Sequence, residues 1–249
     1  MRAQLRAELF KQRSTRTGLG LFATMLGLVL FAVLLHGFGL AAEQADSTSE
    51  QVTMLFGRGE FLGVLFAGLL GAISVTAEIR HGTIWPTFLV SPERDRVIAA
   101  KVWASALIGA GFGLSACALA AVAGTMTLGA RGIEVQLDAG DYALLLAGGM
   151  AAAALWAAIG VGAGAIFRNQ VPTLIGICAW LLFVEGLLVG DVAGVTDVGR
   201  FAPGAAAQAI SGQDPGTLLA PAVGLVLLAL YAAAAAVAGA LATSRRDVV

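Results

Sequence analysis

Residues 61–101 read FLGVLFAGLLGAISVTAEIRHGTIWPTFLVSPERDRVIAAK. The first part, Phe61–Ala77, carries no charge, and neither does the run that follows, Val102–Ala130. Between them, Glu78–Lys101 holds Glu78, Arg80, Glu93, Arg94, Asp95, Arg96 and Lys101. A helix needs about 20 apolar residues to cross the roughly 30 Å of a bilayer's hydrocarbon. The two uncharged runs therefore read as neighbouring membrane spans. The charged segment joining them must lie in water or against a partner protein.

Working outward, four more runs have the length and composition of spans: Gly18–Ala42, Tyr142–Phe167, Pro172–Gly190 and Leu218–Thr243. The expected fold is all-α, a single membrane domain over residues 1–249 with six transmembrane helices. Composition agrees: 58% of the 249 residues are hydrophobic and 12% charged, with mean hydropathy +0.86. Soluble domains carry about 25% charged residues. The 33 glycines suit helices that approach closely in lipid. Gly160 and Gly164 form a small-xxx-small pair, and Gly109, Gly111 and Gly113 cluster in the third span, so all five are expected at helix contacts.

Lysine and arginine set orientation. Twelve lie on one side of the predicted spans: Arg2, Arg6, Lys11, Arg13, Arg16, Arg80, Arg94, Arg96, Lys101, Arg168, Arg245 and Arg246. Arg58, Arg131 and Arg200 lie on the other. Both termini are therefore expected in the cytoplasm, in a multi-pass protein of the cell membrane. Residues 1–16 are expected to form an interfacial helix, because Met1, Leu5 and Leu9 make an apolar stripe beside Arg2, Arg6 and Arg13. The connection Glu43–Arg58 reads as a solvated outer loop. In the outer segment 191–217, Pro203 and the alanines at 205, 206, 207 and 209 predict a short helix within Phe201–Ile210.

Several chemistries are excluded. A net charge of −1 argues against a nucleic-acid binder. His36 and His81 fall on opposite sides of the membrane and cannot share a metal. Cys117 and Cys178 sit in apolar runs and read as small core residues. The chain has two lysines, Lys11 and Lys101, preceded by Phe10 and Ala100. A phosphate-binding loop needs glycine before its lysine, so any ATP hydrolysis belongs to another chain. Glu185 is read as the one carboxylate well inside a span. Burial near the bilayer centre costs about 2.5–3.5 kcal/mol on insertion scales, which suggests that Glu185 lines a substrate path.

Within Glu78–Lys101, Ser91 is expected to cap a helix beginning at Pro92 and running into the third span. Trp85, Phe88 and Leu89 put large apolar side chains on a segment expected in water, which marks an interface. The pattern E-x-x-x-G-T at Glu78, Gly82 and Thr83, then S-P-x-R-x-R and A-A-K ending at Lys101, resembles the first cytoplasmic loop of ABC-2 type transporter permeases. Pro86 departs from that pattern. The basic N-terminal helix, the six spans and the helix before the last span extend the resemblance over nearly the whole chain.

The resemblance implies a permease subunit of an ATP-driven exporter, paired with a second permease chain and with ATPase subunits that bind ATP and Mg. The chain itself would hold no cofactor and would not be an enzyme. Glu78, Gly82, Thr83, Trp85, Phe88, Pro92, Arg94, Arg96 and Lys101 would couple it to the ATPase. Glu78 would brace the loop, pairing with an arginine of the N-terminal helix. Arg94, Arg96 and Lys101 would hold the start of span three at the membrane boundary. The rivals are an ion-gradient-driven secondary transporter and a membrane assembly protein that transports nothing.

Overall fold

A computed structural model describes residues 2–40, 51, 55–84, 86, 89, 93–189, 196–213 and 218–245. The described residues are helical, without strands, and include six helices long and apolar enough to cross a membrane. The protein is thus an all-α, multi-pass membrane protein. In chain order the helices are α1 (Arg2–Ser14), α2 (Arg16–Leu35), α3 (Gly57–Arg80), α4 (Arg94–Ala130), α5 (Ala139–Phe167), α6 (Gln170–Ala179), α7 (Glu185–Val189), α8 (Thr196–Gly199), α9 (Pro203–Ile210) and α10 (Pro221–Arg245). α6 and α7 form one span, joined by a wide π-type turn at Trp180–Val184.

α3, α4 and α5 form the centre. Their apolar windows are 61%, 44% and 56% buried, whereas those of α2, α6 and α10 are 22%, 22% and 17% buried. In lipid there is little hydrophobic drive between helices, so contact depends on close packing of small side chains. A Cβ at Gly160 of α5 would overlap the carbonyl oxygen of Gly68 in α3, and one at Gly113 of α4 would overlap that of Gly149 in α5. Gly109 and Gly164 likewise meet neighbouring backbone at Ala153 and Ala72. Four of the five expected packing glycines therefore sit at contacts. Gly111 does not: nothing lies within 4 Å of its Cβ direction, because it falls on the outer face of α4. Phe22 of α2 closes against Phe112 of α4 with ring centroids 5.0 Å apart.

Local signals explain the helix ends. Asp138 and Asp141 make a capping box at the start of α5, with reciprocal backbone bonds of 2.9 and 3.0 Å. Pro203 is the first residue of α9, where its missing N–H costs nothing. α4 begins at Arg94, with Glu93 in a non-helical conformation before it. Ser91 and Pro92 lie outside the described residues, as do Trp85 and Phe88.

The α2–α3 connection also departs from expectation. Gln51 is buried: its amide donates to the Glu134 carbonyl at 2.8 Å and its oxygen accepts from the Gln136 N–H at 3.0 Å. Leu55 and Phe56 are buried too. Part of the stretch read as solvated instead clasps the α4–α5 connection, and α3 starts four residues before the expected Phe61.

Candidate functional site

α1, the end of α3 and the start of α4 meet at one end of the bundle. α1 turns its polar face inward. Glu8 and Gln12, one turn apart, are its buried side chains, while Phe10 is exposed. Leu5 and Leu9 of the expected apolar stripe are only partly buried. Arg2, Arg6 and Arg13 face outward.

Four charges converge there. Lys101 is fully buried, and its ammonium reaches Glu78 Oε1 at 2.7 Å, Glu8 Oε2 at 2.8 Å and the Ser74 carbonyl at 3.1 Å. All three of its protons therefore have acceptors. Lys11 reaches Glu8 Oε1 at 2.9 Å and Glu78 Oε1 at 3.0 Å. Gln12 donates to Ser105 Oγ at 2.9 Å. Both lysines of the sequence thus meet on one oxygen of Glu78. The charges cancel, which lets this cluster persist out of water.

The expected partner of Glu78 was an arginine of the N-terminal helix; the structure corrects this to Lys11, with Lys101 as a second partner. The inward face of α1 carries Lys11 in the right turn, whereas its arginines point outward. Lys101 is fully buried, and all three of its donors are spent within the chain. It locks α4 to α1 and α3.

Toward the tip of the connection, Gly82 takes φ +68°, a left-handed conformation open to glycine, and follows the end of α3. The Thr83 N–H bonds to the Glu78 carbonyl at 2.9 Å, folding the chain back over the cluster. Ile84 is buried, while Leu89 is 83% exposed. Arg94 donates to the Thr243 carbonyl at 3.1 Å, and Asp95 accepts from Ser244 Oγ at 2.6 Å. These bonds tie the start of α4 to the end of α10. Arg96 pairs with Glu93 on the surface.

Burial would raise the Glu8 carboxyl, but the charges and hydrogen bonds of Lys101 and Lys11 outweigh it and hold Glu8 below the usual carboxylate range. Burial opposes the charge of Lys11 as well, yet its bond to Glu8 and the charge of Glu78 push its ammonium up. A carboxylate with a depressed folded pKa contributes stability above its unfolded value of about 4.3, lost as pH falls through the lower folded value. Acid should therefore loosen α1. A spin label at Phe10→Cys is expected to gain mobility as pH falls below about 4.3, and Glu8→Gln should flatten that transition. Unchanged mobility in the parent chain would contradict the cluster.

A second polar site lies at the opposite end. Glu185 accepts the backbone N–H of Gly204 and, at 3.3 Å, that of Ala205. It therefore anchors the start of α9. Glu185 is not the one carboxylate inside a span: Glu60, in the first turn of α3, is 1% exposed and accepts from Gln213 Nε2 at 2.9 Å. Gly212, at φ +75°, reverses the chain after α9 and brings Gln213 inward. Glu60 and Glu185 line a cavity of about 370 Å³ with Arg58, Phe61 and Leu181. Sequence reading missed Glu60 because GRGEF looked like the edge of a loop. Among the described residues no group of His, Cys, Asp and Glu could hold a metal ion. Compared with known proteins, the sequence matches no family model and no curated protein.

Proposed function

We propose that the chain is the membrane-spanning permease subunit of an ATP-driven exporter, working as a dimer of permease chains. Separate ATPase subunits would bind ATP and Mg and engage the 78–101 connection. The end holding α1 would face the cytoplasm, given its excess of lysine and arginine, and α9 would lie toward the outer leaflet. The observation that carries this reading is the rooting of the connection. Glu78, at its base, is bonded to Lys11 of α1 and Lys101 of α4, while Leu89, Glu93 and Arg96 stand exposed toward its tip. A push on the tip would move α1, α3 and α4 together. Nucleotide can bias two states of a permease only through contacts that differ between them, and the exposed Leu89, Glu93 and Arg96 could supply such contacts.

The ion-gradient reading draws support from the cavity shared by Glu60 and Glu185, since secondary transporters place acids at their coupling sites. One experiment separates the two. Affinity purification of the tagged chain from its native membrane should recover an ATPase bearing G-x-x-x-x-G-K-[ST], and the chain should stimulate that ATPase's hydrolysis. Absence of any such ATPase, with ion-driven flux by the chain alone in vesicles, would overturn the exporter reading in favour of its rival.

A further inference from the structure

The outer face of α4 carries a groove of about 520 Å³ where α1, α2 and α4 meet. Phe22 of α2 and Leu107, Ile108 and Phe112 of α4 line it. So does Gly111, whose Cβ direction meets nothing within 4 Å. Glycine there leaves open the space that a larger side chain would fill. From Leu107 to Ser115 the lining runs about 12 Å along α4, within one leaflet of a hydrocarbon core about 30 Å thick.

Arg13 of α1 brings a cation to this apolar lining. At about 3.6 residues per turn, Arg2, Arg6, Leu9 and Arg13 share one face of α1, away from the buried Glu8 and Gln12. The three arginines are exposed, and among the described residues none of them makes an ion pair. The helix therefore divides its charges. Lys11 is neutralised against Glu8 and Glu78, whereas the arginine face is left uncompensated. Trp103, one turn before Leu107 on the same side of α4, is 58% exposed. Tryptophan favours the boundary between membrane and water, which sets the Arg13 end of the groove at the level of lipid headgroups.

We propose that this groove holds an anionic phospholipid. Its phosphate takes the Arg13 guanidinium, whose planar fork suits paired phosphate oxygens. One acyl chain lies along Leu107, Gly111 and Phe112. The uncompensated charge of Arg2 and Arg6 favours a headgroup with net negative charge. A choline headgroup carries the same phosphate, but its cation adds to three unpaired positive charges. A second copy of this chain seated symmetrically on the groove would set its own arginines against these, so charge favours the lipid. The site does not rest on the exporter reading; it requires only that the chain sit in a bilayer.

The test is native mass spectrometry of the purified, delipidated full chain, incubated with equal amounts of phosphatidylglycerol and phosphatidylcholine of identical acyl chains. Phosphatidylglycerol should be retained about fivefold or more over phosphatidylcholine, and Arg13→Gln should lower its retention about fivefold, the effect of one basic residue at an anionic surface. Gly111→Leu fills the groove and should lower retention of both lipids without changing the thermal midpoint. Arg168→Gln removes a charge after α5, outside the groove, and should leave retention unchanged. Free glycerol phosphate should not displace the lipid, because it lacks the apolar half. Equal retention of the two lipids by the parent chain would overturn the proposal. So would full displacement by glycerol phosphate, equal effects of Arg13→Gln and Arg168→Gln, or a folded Gly111→Leu chain that binds phosphatidylglycerol as the parent does. A Gly111→Leu chain that loses a dimer while keeping its lipid would overturn it in favour of a second copy.

Discussion

Lys101→Met lowers the thermal midpoint of the purified chain by roughly 6–20 °C. Removing one partner of a buried ion pair costs about 3–5 kcal/mol, because the remaining charge is left uncompensated, and each kcal/mol shifts the midpoint of a chain this size by about 2–4 °C. Lys101 is the extreme case here: fully buried, with Glu8, Glu78 and the Ser74 carbonyl all depending on it. Methionine keeps the volume and removes the charge, so packing loss is a minor contribution. The double variant Glu8→Gln/Lys101→Met should recover part of the loss, because one of the two orphaned carboxylates is gone. A Lys101→Met chain as stable as the parent, by thermal scan in the same detergent, would mean that the cluster does not hold α1, α3 and α4 together.

Gly160→Leu acts on the other structural foundation, the α3–α5 seam. A side chain there overlaps the Gly68 carbonyl, which belongs to helix backbone and cannot rotate away. The cost should reach about 3 kcal/mol or more, the upper end of overpacking penalties, and size-exclusion chromatography should return aggregate instead of a single peak. Gly111→Leu is the matched control. Nothing faces that position, so it should change stability by no more than about 0.5 kcal/mol. Equal behaviour of the two variants would show that the seam is not as close as described.

These two variants mark what the sequence makes legible. Spans are local: an uncharged run of sufficient length announces itself, and each of the six overlaps the run that announced it, Phe61–Ala77 and Val102–Ala130 among them. The first turn of α3 was missed because Arg58 and Glu60 broke the apolar run, although the structure buries Glu60 against Gln213. Gly160 and Gly164 were legible as a spaced pair. Gly111 was not separable from Gly109 and Gly113, because spacing alone does not say which face of α4 meets a neighbour.

The ion cluster lay beyond sequence reading for a related reason. Its bonds join residues 67 and 93 positions apart, and no periodicity links Glu8, Lys11, Glu78 and Lys101. The resemblance pointed to Glu78 as a brace, yet named an arginine as its partner. Only the inward turn of the polar face of α1 selects Lys11 instead. Glu185 was correctly singled out as a costly buried acid, but its partners at Gly204 and Ala205 follow from the fold of the segment after α7, which composition does not specify.

In the proposed exporter, work enters through the 78–101 connection, on which Leu89, Glu93 and Arg96 are exposed. The most direct measurement is the ATP hydrolysis rate of the purified ATPase assembly carrying Glu93→Gln/Arg96→Gln, two surface positions whose loss should leave the bundle folded. Stimulation by the chain should fall several-fold, or the ATPase should dissociate. Full stimulation from a stably bound ATPase, with the tip neutralised, would contradict it.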